Sequence, residues 1–347
     1  MIYFDNAATT PVLDCAWEAM QEAPFANPFS SHAAGREAKT ALESARAVIA
    51  ACLGCRPSEV YFTSGATESC NWMVNSMRTR ADVIIHSNRL HHAVTESIRS
   101  YPVPNAPRRI LAAIESLVNN ETGEIENRRK NYGSLCLFGL DATGAVGHLP
   151  IDFNALGADY MAFGGHKFGA PKGIGALVVR DGRPISPMIF GGAQERGMRG
   201  GTTSVPLASA MAAALAWRVK NMVDNAERIR RVRDQLIFDL AQRGADFVVN
   251  LNGGHRQFAD HILSLRFPGV YGATLAAALS ENGIMVSTGS ACSSGDNSAS
   301  TNLMTSGLAE QEALETIRFS FDWYNTPAES TEAARTIAGL LPTLRRG

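Results

Sequence analysis

No stretch of the chain reaches the roughly 20 consecutive apolar residues that a membrane-spanning helix needs. The opening residues, Met1-Ile-Tyr-Phe-Asp-Asn6, lack the basic-then-apolar order of a secretion signal, so a cytoplasmic protein is expected. A surplus of charge is missing as well: 32 Lys and Arg stand against 33 Asp and Glu. That balance excludes a broad basic footprint for nucleic acid. The densest basic run, Arg228-Ile-Arg-Arg-Val-Arg233, reads as the solvated face of a helix. Cysteines number only six in 347 residues, too few and too irregular for a disulfide framework. Cys15, Cys70 and Cys136 lie in apolar periodic segments and read as small buried hydrophobes. Cys52-Leu-Gly-Cys55 has no second pair and no histidine at zinc spacing, so no metal site is expected. Cys292 differs from all of these. It sits in Ser287-Thr-Gly-Ser-Ala-Cys-Ser-Ser-Gly295, among small polar residues that pack no core.

What remains is a globular composition, 45% hydrophobic and 19% charged, long enough for one large domain or two unequal ones. Arg36 to Leu53 has apolar residues at helical spacing and stops at Gly54. Short apolar runs at Val60–Thr63, Val83–Ile85, Ser116–Val118, Leu135–Leu140, Tyr160–Phe163 and Gly175–Val179 alternate with helix-like segments. That order predicts an α/β fold with a mostly parallel central sheet flanked by helices. Ala208 to Arg243 reads as one long helix. A strand at Ile262–Phe267, a helix at Gly272–Glu281 and a strand near Thr316–Phe321 predict a second, smaller α/β unit. The boundaries expected are 14–223 for the large domain, and 1–13 with 224–347 for the small one.

Six constellations carry chemistry. Phe163-Gly-Gly-His-Lys167 puts a lysine just after a strand, with glycines that leave room for a ligand. Such an amine can condense with a carbonyl cofactor. Leu140-Asp-Ala-Thr143 ends a strand on an aspartate, which starts a turn or faces a pyridinium nitrogen. Thr63-Ser-Gly-Ala-Thr-Glu68 runs from strand through a glycine turn into a helix and aims N–H groups at an anion. His91, in Arg89-Leu-His-His92, is a candidate base with His92 as its competitor. Val118-Asn-Asn-Glu121 is a polar loop at a strand end. Arg318, flanked by strand-like apolar residues, needs an anionic partner, and a carboxylate suits it.

In this order these residues resemble the cysteine desulfurases, fold-type-I enzymes of the class V aminotransferase group that use pyridoxal 5'-phosphate (PLP). The resemblance runs nearly end to end. It takes in Tyr3-Phe-Asp-Asn-Ala-Ala-Thr-Thr-Pro11, Asn27-Pro-Phe-Ser-Ser-His32, Gly191 to Thr202, Ser290-Ala-Cys292 and Ile317-Arg-Phe-Ser320 besides the motifs above. It implies that Lys167 carries PLP, that Asp141 holds the pyridine nitrogen, and that His91 stacks on the ring and moves protons. Thr67 and His166 would bind the phosphate, and Thr202 the phosphate of the neighbouring subunit of a homodimer. Asn120 and Arg318 would hold the substrate carboxylate, with Asn120 also near the ring hydroxyl. Cys292 would take sulfur from L-cysteine as a persulfide, leaving alanine, and carry it to an acceptor protein. Unpacked neighbours give that thiol the mobility and access it needs.

Three features depart from the family pattern. Gly144 stands where a glutamine usually bonds the ring hydroxyl, and Gly164 where a serine usually meets the phosphate. The stretch Ser97 to Arg109, with three prolines, replaces a strand, a helix and another strand, and its prolines argue against a helix. The trimmed surface suggests a specialised member with few sulfur acceptors. Iron–sulfur assembly, tRNA thiolation and DNA phosphorothioation all remain open. Selenocysteine lyase activity, or a retired enzyme kept as a scaffold, are the alternatives. Direct binding to nucleic acid or membrane is not expected.

Overall fold

The computed structural model describes residues 1–101, 111–126, 132–133, 136–251, 256–289 and 298–345. Two compact units divide the chain: Pro11–Leu117 with Glu126–Lys220, and Met1–Thr10 with Val118–Ile125 and Asn221–Gly347. The strands, in chain order, are β1 (Ile2–Tyr3), β2 (Val60–Thr63), β3 (Val83–His86), β4 (Leu111–Ser116), β5 (Leu137–Asp141) and β6 (Tyr160–Gly164). β7 (Gly175–Val179), β8 (Val248–Val249), β9 (Ile262–Arg266), β10 (Ile284–Met285) and β11 (Thr316–Ser320) follow.

The first and larger unit holds a sheet in the order β2-β7-β6-β5-β4-β3. β3, β4, β5 and β6 pair in parallel, while β7 runs against both of its neighbours. Only one strand is therefore reversed, as expected for a mostly parallel sheet. β2, β5, β6 and β7 are buried at every position. Burial on both faces explains why they read as apolar runs rather than as alternating patterns. Helix Ala66–Arg78 packs on this sheet through Cys70, Trp72, Met73, Val74 and Met77.

The second unit is built around the antiparallel sheet β11-β9-β8 and a separate parallel pair, β1 with β10. Its core joins Leu263 and Leu265 of β9 and Ile317 and Phe319 of β11 to helices Met222–Gln242 and Pro327–Leu344. Phe4 is fully buried in that core and meets Phe321 edge to face at 5.0 Å. The N-terminal residues are thereby fixed beside β11.

Four local expectations change. The strand expected at Ser116–Val118 is β4, which starts at Leu111 and ends at Ser116. Asn119 ends it, because its Oδ1 accepts the backbone N–H groups of Glu121 and Thr122, at 3.0 Å each, and turns the chain. The long helix from Ala208 is two, Val205–Lys220 and Met222–Gln242, parted at Asn221, whose φ of −104° and ψ of 14° are not helical. A helix does occupy His92–Ser100, through the start of the proline-rich stretch, and stops at Tyr101 in extended conformation. The next residue is Pro102, which disfavours helix at the position before it. Cys15 is half-buried rather than buried, because helix Asp14–Glu22 buries only Ala16 fully. Cys55 is half-buried at its helix end, with burial pushing its thiol up to about 12. No cluster that could hold a metal occurs among the described residues. Among them, too, no helix is long and apolar enough to cross a membrane.

Candidate active site

Three of the expected residues come within electrostatic reach of one another in the larger unit, in segments that end or follow β3, β5 and β6. Asp141 is the last residue of β5 and is buried. Its Oδ1 accepts the N–H of Thr143 at 3.0 Å, which fixes the carboxylate. Lys167 closes the 3-10 turn Gly165–Lys167 that follows β6, and its carbonyl lies 2.9 Å from Nε2 of His148. His91 caps helix His92–Ser100, with Nδ1 accepting the N–H of Ala93 at 3.1 Å. That bond places the proton of the neutral ring on Nε2. Burial lowers the pKa of His91, Lys167 lowers it further, and Asp141 opposes them. His91 is therefore a neutral imidazole at neutral pH, within electrostatic reach of both charged groups. His92, its competitor, is exposed and sits edge-on to it at 6.2 Å.

An anion cradle lies in the same unit. Helix Ala66–Arg78 has Gly65 as its N-cap and no side-chain cap. No side chain among the described residues caps its first N–H groups, at the positive end of the helix dipole, and Thr67 is exposed there. Two glycines bring this helix start close to the sheet. A Cβ on Gly175 would lie 2.7 Å from the backbone of Gly65, and one on Gly164 would lie 3.0 Å from N of Ala66. A serine at 164 would press on an N–H of the cradle itself, so the glycine there suits the position of the helix. Burial, Lys167 and Lys172 lower the pKa of His166 to about 4. His166 can therefore give an anion a neutral N–H donor.

The loop from Gly191 to Thr202 is bolted to this cradle. Arg199 forms a two-pronged ion pair with Glu68, at 2.8 and 3.1 Å, and Glu68 also accepts the N–H of Ser64 at 2.7 Å. Burial acts to raise the carboxyl of Glu68, but these bonds outweigh it and hold its pKa below the usual range. Glu195 and Arg196 are both left-handed, with φ of 45° and 59°, a conformation that costs a non-glycine residue energy. Buried Glu195 is held there by Arg46 at 2.8 and 2.9 Å and by the N–H of Phe62 at 3.0 Å. Arg196 stacks over the Tyr61 ring at 4.2 Å. Thr202 ends the loop and is exposed.

The smaller unit holds Arg318 and Asn120. Arg318, on β11, is buried. Its Nη1 donates to the carbonyl of Asn120 at 2.8 Å and its Nη2 to Asp5 at 2.7 Å. Its Nε is buried without a partner among the described residues. The side-chain Oδ1 of Asn120 accepts from Asn302 at 3.4 Å. Cys292 lies outside the described residues.

Some functional residues escaped the sequence reading. Asp5 stood inside a recognised motif with no role. Thr143 follows Asp141 by two residues, and its hydroxyl is buried without a partner among the described residues. Arg46 had a readable signal, a charge at a buried position of the apolar face formed by Leu42, Ala45 and Ile49.

Known proteins resemble this chain over nearly its whole length. Residues 2–101 and 109–331 match the aminotransferase class-V family. The cysteine desulfurase IscS of Dictyoglomus turgidum is 34% identical over 99% of this chain and 95% of its own length. The IscS-like cysteine desulfurase of Mycobacterium tuberculosis is 35% identical over 100% and 98%. Among solved structures, a NifS-like protein superposes with a TM-score of 0.86 at 32% identity, covering 99% of this chain and 100% of its own. SspA in complex with cysteine gives 0.75 at 29%, covering 94% and 100%. The chain therefore belongs to the class-V aminotransferases and, within them, to the cysteine desulfurases.

That family is PLP-dependent, and the residues present fit the cofactor. The larger unit offers a buried fixed carboxylate, an amine, a neutral imidazole, an uncapped helix N-terminus and an unspent hydroxyl at Thr143. These are the groups that a cationic ring nitrogen, an aldehyde and a phosphate call for.

Proposed function

We propose that this protein removes sulfur from L-cysteine, leaving alanine, and holds the sulfur on Cys292 before passing it on. The observation that carries this reading is the grouping of Lys167, Asp141 and His91, on a chain 34–35% identical to cysteine desulfurases over essentially its whole length. When bound, PLP supplies an electron sink next to the reacting carbon.

The chain's own residues do the rest. Lys167 anchors the cofactor and moves the proton at the α-carbon. The carboxylate of Asp141 keeps the ring nitrogen protonated. His91, neutral with its proton on Nε2, would face the bound ring and help move protons there. Thr67, His166 and the helix start at Ala66 hold the phosphate, and Thr202 reaches the phosphate of a second subunit. In the smaller unit, Arg318 and Asn120 hold the substrate carboxylate. The thiolate of Cys292 attacks the substrate sulfur. The S–S bond forms as the C–S bond breaks, and the carbon takes a proton and leaves as alanine. Alanine formed from L-cysteine with a reductant is the test. A yellow, PLP-loaded protein that forms none contradicts the reading.

The acceptors we propose are few and specialised, with nucleic acid or membrane not touched directly. One observation supports this: the short stretch between Glu96 and Leu117. Expression in a host lacking its general desulfurase is expected not to restore iron–sulfur assembly and tRNA thiolation; full rescue contradicts a narrow acceptor range. A cytoplasmic homodimer completes the proposal. Thr202 is exposed, and Phe25 and Phe190 are bare at 97% and 86% exposure. Sedimentation at a single-subunit mass contradicts the dimer.

A further inference from the structure

The chain leads Asp5 to the substrate-binding arginine by a fixed route. Residues Phe4 to Ala7 run alongside β11, and Asp5 forms a parallel bridge with Ser320. The N–H of Ser320 donates to the carbonyl of Phe4 at 2.7 Å, and the N–H of Ala7 to Oγ of Ser320 at 2.9 Å. Asn6, the next residue, is buried and bonded through Nδ2 to the carbonyl of Ser320 at 3.0 Å. Arg318 and Ser320 are two apart on the strand and so lie on one face of it. Asp5 is thereby delivered to the guanidinium at 2.7 Å.

This ion pair is lopsided. The Arg318 side chain is 3% exposed and that of Asp5 20%, so the cation is enclosed and the anion is the member that meets solvent. Asn120 takes one end of the guanidinium through its carbonyl, Asp5 takes the other, and Nε is left. A ligand carboxylate arriving there finds the donors already aligned. It also finds the cation half-neutralised and a second negative charge beside it. Alignment favours binding, whereas repulsion between the two carboxylates opposes it. Without Asp5, Arg318 would be an enclosed cation short of a counter-charge, which would retain any carboxylate tightly.

We propose that Asp5 is a positioning residue that tunes Arg318, holding the guanidinium in line while weakening its grip on carboxylates so that alanine leaves. Alanine keeps the carboxylate of the cysteine it came from, so a site that binds one strongly also binds the other strongly. Asp5 sets that compromise. The inference rests on the reading of Arg318 as the carboxylate ligand, and the test separates the two.

PLP-loaded wild type, Asp5→Asn and Arg318→Gln are titrated with L-alanine, followed by absorbance and by inhibition of turnover on L-cysteine. L-Alaninamide, which lacks the carboxylate, is the control. Asp5→Asn is expected to bind L-alanine about tenfold more tightly, an order of magnitude set by removing one like charge near the ligand. Its kcat is expected to fall as alanine release slows, and its affinity for L-alaninamide to stay as in wild type. Unchanged or weaker L-alanine binding by Asp5→Asn overturns the proposal, since damage to the fold loosens a ligand and does not tighten it. Should Asp5→Asn fail to fold, Asp5→Ser carries the same expectation and the same contrary result. Arg318→Gln distinguishes the two levels. If it binds L-alanine as wild type does, the reading of Arg318 itself fails. If it weakens L-alanine while the Asp5 variants tighten nothing, only the role of Asp5 fails.

Discussion

Lys167→Ala is expected to fold, to lose the yellow PLP absorbance on desalting, and to form alanine from L-cysteine at least ~10³-fold more slowly than wild type. The fold should tolerate the change. Lys167 sits at the end of a short turn whose carbonyl contact with His148 belongs to the backbone and survives the substitution. The chemistry should not tolerate it. Asp141, His91 and the uncapped helix at Ala66 can still attract the ring and phosphate, but Lys172, the other amine within electrostatic reach of His166, does not act on His91 as Lys167 does. PLP is expected to bind weakly and reversibly to the variant, and a primary amine added to the buffer should not restore normal rates. A Lys167→Ala protein that keeps its colour through desalting and turns over at more than a few per cent of wild type contradicts the assignment of the lysine.

The second large effect concerns stability. Glu195→Ala is expected to lower the free energy of unfolding by about 3 kcal/mol, the low end for a broken buried pair, because buried Arg46 is left with only the exposed Glu43 as counter-charge, at 3.1 Å. The side chains of Arg46 and Glu195 are 5% and 1% exposed, so solvent screens this pair little. The Phe62 N–H loses its acceptor as well. Residue 195 would also lose what holds it left-handed, a conformation that costs roughly 1–3 kcal/mol. The loop that carries Arg199 and Thr202 should then loosen from the cradle, and PLP affinity should fall with stability. Removing both charges is a different matter. Glu195→Leu with Arg46→Met is expected to recover part of the loss, since apolar pairs often replace buried ion pairs without penalty. Urea titration reads both. A loss below about 1 kcal/mol for Glu195→Ala would show that the pair does not hold the loop.

The parts of this molecule that were legible in the sequence share a cause. Strands buried on both faces have to be apolar throughout, so β2, β6 and β7 announced themselves. Gly54 ended its helix where expected, at a φ of 64° that suits glycine. Lys167, Asp141 and His91 were legible because each sits where a strand ends and local motifs mark strand ends. What stayed hidden depends on contacts between distant segments. Nothing local tells that Asp5 would meet Arg318, 313 positions away, or that Glu195 would meet Arg46. The split at Asn221 was hidden for another reason. A single residue leaving helical geometry does not disturb the apolar periodicity on either side of it. The sequence also presented Gly164 only as a lost phosphate contact. Its meaning changes once the start of helix Ala66–Arg78 is seen 3.0 Å from where a side chain would stand.

The central claim is that Cys292 receives the sulfur. One turnover of PLP-loaded protein with a limiting amount of L-cysteine and no reductant tests it most directly. Alanine is quantified, and the peptide that contains Cys292 is weighed under conditions that preserve persulfides. One alanine per L-cysteine consumed, with as many extra sulfurs on Cys292 and none on the other cysteines, is the predicted result. Cys292→Ala should give neither. Alanine formed at the wild-type rate by Cys292→Ala, or sulfur found on any other cysteine, would contradict the account.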